Sequence, residues 1–244
     1  MKTSVIICAI GLAAAGFAPG GDEPETLTYD VVAVKRKLLL ETDDGERQLN
    51  VGDNARSGDA LRTGSRSSAE LAVPARAARF LIGTKTAFRL AHARPGVLLE
   101  VERGRLRAVF GAMTGDNERE RLITTPSAVL AVRGTEYGVE VKKDGDTSVV
   151  VFEGIVEVRN SADVGEPVRV HAGESTRIRR GRATSKPSPH GLSRGDWDRG
   201  RGAGGGQRGS MGSSQQQMGA QGQGSGGSKG SSSSKGGGSK RPGG

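Results

Sequence analysis

The sequence holds few of the residues from which disulfide frameworks, metal centres and aromatic cores are built. It has one Cys, three His, one Trp, two Tyr and five Phe in 244 residues. These numbers exclude a disulfide-rich scaffold and a zinc or haem protein built on Cys and His clusters. They also argue against a large aromatic-rich enzyme core. The overall composition, with 34% hydrophobic residues, excludes a polytopic membrane protein. We therefore expect no metal and no cofactor.

The N-terminus has the pattern of a secretory signal peptide covering residues 1–18. Lys2 provides a positive charge, Val5–Ala15 is an apolar or small run, and Ala18 ends a cleavage site with small residues. A membrane anchor is the alternative, but this run is far shorter than the ~20 residues that span a bilayer. Cys8 lies inside the run and is expected to leave with the signal. We expect an exported protein, periplasmic or extracellular and associated with the cell envelope.

The C-terminal segment, residues 181–244, is rich in Gly, Ser and Gln and nearly free of apolar side chains. Burial there cannot offset a backbone ordering cost of ~1–2 kcal/mol per residue, so we expect a disordered tail. The segment carries ten basic and two acidic side chains, which is nearly all of the net charge of +9. The remainder of the chain is close to neutral.

The central segment, residues 27–180, alternates apolar and polar residues with a period of two and follows a short linker, 19–26. Such alternation predicts strands with one buried and one wet face. Gly-containing turns such as Asp44-Gly45 and Asp144-Gly145 separate the strands. The strands predicted in this way are 31–34, 37–40, 60–62, 69–73, 79–82, 87–90, 99–102, 105–110, 139–142, 148–152, 156–159 and 168–171.

This spacing predicts an all-β fold of many short strands. The best helix candidate, 67–81, is interrupted by Pro74. The expected core is aliphatic, and Trp197 falls in the predicted tail. A thin aliphatic core favours a short β-solenoid or β-helix-like roll over a thick sandwich.

Several short motifs follow one another over residues 58–174 and are sharpest at Thr-Pro followed by Val-Arg-Gly-Thr. The motif residues are Gly58, Asp59, Thr63, Gly64, Thr125, Pro126, Arg133, Gly134, Thr135, Gly154, Gly173 and Glu174. In their order and spacing these motifs resemble the FecR domain family, named for periplasmic regulators of iron-citrate uptake. The resemblance implies an exported, non-enzymatic, all-β module that mediates contacts in signalling or envelope proteins.

The chain departs from the family in two places. Residues 74–79 stand where the family commonly has an Asp-Gly-Ser turn, which puts the hairpin there in doubt. The family's regulators also carry a cytoplasmic anti-sigma segment and a transmembrane helix before this domain, whereas here we expect a signal peptide in that place. The resemblance therefore extends to the domain and not to direct contact with a sigma factor.

The motif residues have a structural and a functional interpretation. Arg133, Gly134 and Thr135 could contact a partner or could shape a bend, since special backbone needs usually mark architecture. Thr125 before Pro126 is expected to fix an extended entry into a strand.

No catalytic constellation is evident. Ser127 and Thr124 have no adjacent His, no Gly-x-Ser-x-Gly elbow occurs, and the acidic turns at 43–46 and 144–146 do not match a calcium loop. His171 ends an alternating strand, where a solvent-facing side chain is expected. The chain is therefore interpreted as not an enzyme, with a hydrolase as the least favoured hypothesis.

Two functional hypotheses remain. The first is a module that binds an unidentified envelope protein or glycan through a strand edge or exposed face in cell-envelope signalling or organisation. The second is a structural envelope or matrix protein whose basic tail adheres to anionic polymers. Arg-Gly pairs between 194 and 208 resemble RNA-binding segments, but export argues against a specific nucleic acid partner.

Overall fold

The computed structural model describes residues 26–90, 95–112 and 120–200. The predicted signal peptide, nearly all of the 19–26 linker and the tail from residue 201 onward lie outside the described residues. Fifteen strands, one 3₁₀ turn and one short helix are present in the described ranges. They are β1 Thr28–Lys35, β2 Leu38–Thr42, β3 Gly45–Leu49, β4 Asn54–Arg56, β5 Ala60–Thr63, β6 Ser68–Val73, the 3₁₀ turn Pro74–Arg76, β7 Ala78–Ile82, β8 Ala87–Leu90, β9 Val97–Phe110, β10 Arg121–Thr124, β11 Ala128–Val141, β12 Thr147–Asn160, β13 Val168–His171, β14 Glu174–Ile178, β15 Ser188–Pro189 and α1 Arg194–Asp198.

The all-β prediction is confirmed, and the predicted strands coincide with observed ones. Burial alternates along β5, β6, β7 and β8 with a period of two. The segment 67–81, the best helix candidate, forms β6, the 3₁₀ turn and β7 instead. Apolar side chains that alternate with a period of two lie on one face of a strand, whereas in a helix they would not share a face.

Three long strands organise the sheet. β9, β11 and β12 each have 14 residues, and each contains a glycine with positive φ near its middle: Gly104 (+103°), Gly134 (+52°) and Gly154 (+78°). Each strand changes neighbours close to that glycine. For example, β9 pairs with β8 up to residue 103 and with β11 from residue 104 onward.

The pairing can therefore be followed as two rows of strands that share the long three. The first row runs β4-β1-β6-β7-β9-β11-β12-β14-β15, and the second runs β3-β2-β5-β8-β9-β10-β11-β12-β13. We call these row 1 and row 2. Both rows are open. The edge strands are β4 and β15 in row 1, and β3 and β13 in row 2.

The sheet is open, and the predicted solenoid or roll is not shown. A parallel β-helix stacks successive strands in parallel. Among the described residues, β9–β10 is the one parallel pair, and every other pair is antiparallel. The reason is local, because tight Gly turns reverse the chain and tight reversals produce antiparallel neighbours.

One aliphatic core joins the two rows. It consists mainly of Val, Leu, Ile and Ala side chains, as the composition predicts, with a few fully buried rings. Phe110 connects two of these rings: it meets Phe80 edge-on at 5.9 Å and stacks on Tyr137 at 6.1 Å between centroids. The described residues contain no helix that is long and apolar enough to cross a membrane.

The hairpin that the sequence leaves in doubt does form. Val73 pairs with Ala78 across the 3₁₀ turn, and the register continues to Ala69–Ile82. Ala77 adopts the left-handed conformation (φ +46°), and its N–H donates to the Pro74 carbonyl at 3.1 Å. Pro74 is compatible with this geometry because it occupies the first position of the turn, where φ is about −65° and no N–H is needed.

Residues 181–200, assigned to the disordered tail by the sequence, are part of the folded structure. They contain β15 and α1, and the Trp197 side chain is only 1% exposed. The Gly-rich average composition of the segment does not reveal the docking of Trp197. One large ring can bury more apolar area than several small side chains.

Candidate functional site

Three tight turns share one geometry in which an acidic side chain covers a backbone amide. They span Asn50–Asp53, Arg56–Asp59 and His171–Glu174, and the third residue of each is a glycine with φ between +86° and +93°. In each turn the acidic carboxylate accepts a hydrogen bond from the N–H of the first residue, at 2.8, 2.9 and 2.9 Å. Two of these acids, Asp59 and Glu174, belong to the FecR motif set.

Two of these turns cap the edges of the sheet. In an antiparallel edge strand, every second N–H points away from its neighbour. The outward N–H of Arg56 on β4 and that of His171 on β13 are the groups that Asp59 and Glu174 accept. β13 is also preceded by Pro167, which has no N–H. β4 and β13 are therefore poor templates for an added strand.

The third edge, β15, is only two residues long and contains Pro189. Proline on an edge removes a donor. The Gly173 carbonyl accepts from the N–H of His190, which continues the pairing of β15 with β14. This edge also offers little to a partner strand.

The fourth edge, β3, is open. It pairs with β2 alone, and all of its residues except Leu49 are exposed. The two-residue turn makes Thr42–Gly45 a hydrogen-bonded pair, so the peptide groups of Glu46 and Gln48 point outward. Among the described residues nothing accepts from these two N–H groups. The Glu46 side chain pairs with Arg62 on β5, which leaves the backbone unobstructed.

The Thr63-Gly64 motif holds two loops together. The Thr63 hydroxyl donates to the Gly83 carbonyl at 2.6 Å and accepts from the Thr86 N–H at 3.0 Å. The Gly64 carbonyl accepts from the N–H of Lys85 at 3.1 Å. Thr63 is buried, so these bonds fix the start of β8 against the end of β5 and leave no group for a ligand.

Thr125 and Pro126 form the entry into β11. The Thr125 hydroxyl accepts from the N–H of Ala128 at 2.9 Å and lies 2.8 Å from the Thr147 hydroxyl. The Pro126 carbonyl accepts from the Ser161 hydroxyl at 2.9 Å. This geometry favours the structural interpretation of the motif, in which the pair fixes the backbone before a strand.

Arg133, Gly134 and Thr135 meet Gly154 where β11 and β12 bend together. A Cβ on Gly154 would lie 2.7 Å from Cγ2 of Thr135, which is 2% exposed. Only glycine fits there, and the register shifts on either side of Glu136. Arg133 is exposed opposite Ile155, whose side chain is 45% exposed. The close approach at the bend therefore requires glycine at Gly154, and the outer surface of the bend carries one large apolar side chain.

A segment that the sequence places in the tail covers the outer face of row 1. We call residues 188–200 the strap. The indole of Trp197 lies on Gly138 of β11, donates from Nε1 to the Leu106 carbonyl at 3.1 Å and has the Arg105 guanidinium 4.5 Å above its ring. Ser193 caps α1 through a capping box with Asp196.

Ion pairs fasten both ends of α1. Arg194 contacts Glu136 at 2.6 Å, Glu136 contacts Arg107 at 2.5 Å, and Arg107 contacts Asp198 at 2.8 Å. Burial lowers the pKa of the Arg107 guanidinium, but its hydrogen bonds to Asp198 and Glu136 outweigh burial and raise it. Sequence reasoning missed this network; the available signal was a lone Trp flanked by Asp and Arg in an otherwise apolar-poor segment.

The side chains of Ser127 and His190 are occupied by structural contacts. The Ser127 hydroxyl bonds to the Thr147 hydroxyl at 2.8 Å. Nε2 of His190 lies 3.0 Å from the Val151 carbonyl, and its Nδ1 accepts from the N–H of Leu192 at 2.8 Å. His171 is exposed, as expected. These contacts hold loops in place and do not activate a nucleophile.

These features define an all-β module whose signature residues shape turns, bends and capped edges. Residues 59–157 match the family model described as FecR protein. The resemblance to the FecR domain is confirmed over these residues, which run from β5 through most of β12.

Comparison with solved structures gives a limited likeness. Two crystal structures of a candidate anti-sigma factor from Parabacteroides distasonis ATCC 8503 align with a TM-score of 0.42 and 16% identity. The alignment covers 53% of this chain and spans only 59% of that protein. No curated protein matches the chain.

Proposed function

We propose that this chain is a non-enzymatic binding module of the cell envelope that takes up a strand of a protein partner along β3. The supporting observation is the contrast among the four edges. β4, β13 and β15 are shortened or capped, whereas β3 offers the outward peptide groups of Glu46 and Gln48. An open edge of this kind supports binding by strand addition.

The proposal includes export and a role in envelope signalling or organisation. The FecR match at 59–157 and the signal-like residues 1–18 are what support it. A protein partner is favoured over a glycan because the open feature is a row of backbone groups. Strand addition uses main-chain hydrogen bonds, which an added peptide strand can return in register.

Binding to native envelope extract tests the proposal. Gln48→Pro removes an outward N–H from β3, a position where an edge strand tolerates proline. The matched control is Arg169→Pro, which removes an outward N–H from the middle of capped β13. We expect the first variant to lose the partner that the wild-type chain captures and the second to retain it.

Two outcomes would contradict the proposal: capture by both variants alike, or loss in the control alone. Fluorescence of Trp197, the single Trp of the chain, checks that both variants are folded. The strap lies on row 1 and β3 ends row 2, so the substitution in β3 does not touch the fluorescent side chain directly.

The alternative function is adhesion by the basic C-terminal segment. The test is removal of residues 201–244, with the cut placed after the strap so that Trp197 stays docked. If the tail provides adhesion, the truncated chain leaves the envelope and the full chain leaves at high salt. If the module binds a partner through β3, the truncated chain stays bound.

A further inference from the structure

A positively charged depression lies beside β7, β9 and β11 of row 1, where two turns and one strand bend meet. They are the 83–85 turn after β7, the 103–105 bend of β9 and the 142–143 turn after β11. The register brings them together, because Ile82 pairs with Leu106 and Val141 pairs with Gly104. The depression has a volume of about 550 Å³, within the ~300–1,000 Å³ of small-ligand sites.

Its acidic side chains are already neutralised. Six cationic and two acidic residues line the depression. Glu140 pairs with Arg105 at 2.8 Å, and Asp198 pairs with Arg107 at 2.8 Å. Of the cations, Arg199 pairs with Asp196 at 2.9 Å. The local charge of the depression therefore remains positive.

The other cations have no counter-charge. Within the described ranges, the side chains of Lys85, Arg103, Lys142 and Lys143 form no ion pair. Four unpaired cations around one concave surface repel each other and concentrate a positive potential, which an anion relieves. This charge belongs to the folded domain, whose sequence is close to neutral outside the tail.

The backbone at one of these cations is also unusual. Lys85 has φ +52°, a conformation that non-glycine residues adopt infrequently. It is held there by the bond from its N–H to the Gly64 carbonyl at 3.1 Å and by the Thr63–Thr86 contacts beside it.

We propose that this depression binds a phosphate ester. A phosphate group concentrates up to two negative charges in a small volume, which suits several cations converging from separate turns. Lys binds phosphate as a point charge, and Arg can bind it with two parallel hydrogen bonds. The site uses neither β3 nor a partner strand, so it goes beyond the function proposed above.

A titration of the ¹⁵N-labelled full chain tests the site. The probes are inorganic phosphate, glycerol 3-phosphate and phosphatidylglycerol vesicles, with sodium chloride of matched ionic strength and phosphatidylcholine vesicles as controls. We expect saturable changes at the amides of Gly83 and Gly104 with a phosphate probe and not with the controls. A response to glycerol 3-phosphate assigns a soluble phosphate ester, and a response to vesicles alone assigns a lipid headgroup. A response to inorganic phosphate alone assigns free phosphate and overturns the ester.

Charge-neutralised variants locate the binding. Lys142→Gln with Lys143→Gln should weaken the affinity about tenfold, because each exposed charge contributes a modest share. Lys85→Gln with Arg103→Gln is an independent second pair. The matched control is Arg159→Gln with Arg169→Gln, exposed cations outside the depression. The basic tail is the same in all variants, so binding by the tail would not distinguish them. Equal weakening of affinity in the control pair, or the same amide changes with chloride as with phosphate, would overturn the proposal.

Discussion

Replacing Gly138 by Ala should expel the strap from row 1. A Cβ at this position would lie 2.3 Å from Cε2 and 2.6 Å from Cζ2 of Trp197, far inside contact distance. The backbone of Gly138 cannot retreat, because it is paired with Arg107 on one side and Val150 on the other. The indole, which lies on a terminal segment, has to move instead.

The magnitude follows from what the indole would lose. Its Nε1 bond to the Leu106 carbonyl (3.1 Å), the Arg105 guanidinium over its ring (4.5 Å) and nearly complete burial all depend on its present position. Removing a buried Trp side chain costs about 3–5 kcal/mol, and overpacking that is partly relieved costs about 1–3 kcal/mol. We expect a loss of about 3 kcal/mol, limited by the free energy with which the strap docks.

Fluorescence reads this change directly because Trp197 is the single Trp of the chain. The emission should shift to longer wavelength and become accessible to a water-soluble quencher. Gly111→Ala is the matched control, since its Cβ would lie 3.4 Å from the Cβ of Ala77, an ordinary contact. Unchanged emission in Gly138→Ala would refute the docking of Trp197, and an equal shift in the control would refute the steric explanation.

Three further predictions concern the stability of the domain, each measured by urea unfolding. Tyr137→Phe should leave stability unchanged or raise it by about 1 kcal/mol, because the described residues offer no hydrogen-bond partner to the buried hydroxyl. Burial raises the pKa of Tyr137 in the folded state. Its contribution to folding stability is therefore fully present below the unfolded pKa of about 10 and falls above it. Wild type should lose stability at high pH more steeply than Tyr137→Phe, and parallel pH profiles would contradict this. Gly104→Ala should cost about 3 kcal/mol, because φ is +103° and the new Cβ would lie 2.5 Å from Cα of Thr86; a cost below 1 kcal/mol would contradict the close approach. Asp59→Ala should cost about 0.5–1 kcal/mol through the lost cap on the N–H of Arg56, whereas Asp59→Asn should retain most of it.

The strand content could be predicted because period-two alternation and Gly turns are local signals. The length of the long strands β9, β11 and β12 could not be predicted. Glu153-Gly154 and Arg103-Gly104 have the residues of turns, yet β12 and β9 continue through them as bends. A glycine with positive φ serves a hairpin or a bulge equally well, and only the long-range pairing of β7, β8 and β11 with β9 decides between them.

The strap could not be predicted for a different reason. Low apolar content predicts disorder when it is averaged over 181–244, but residues 188–200 dock through one indole and the ion pairs of Arg194 and Asp198. The flat surface at Gly138 that receives Trp197 lies 59 positions earlier in the chain. Nothing in the local sequence of Gly138 or of Trp197 indicates that the two residues are in contact. The same holds for the depression, whose unpaired cations come from two turns and one strand bend.

Amide hydrogen exchange of the module with its captured partner tests the central claim most directly. If a partner strand adds to β3, exchange at the N–H groups of Glu46 and Gln48 slows on binding, while Arg169 on β13 is unaffected. Unchanged exchange at Glu46 and Gln48 in a complex that protects other amides would contradict the account.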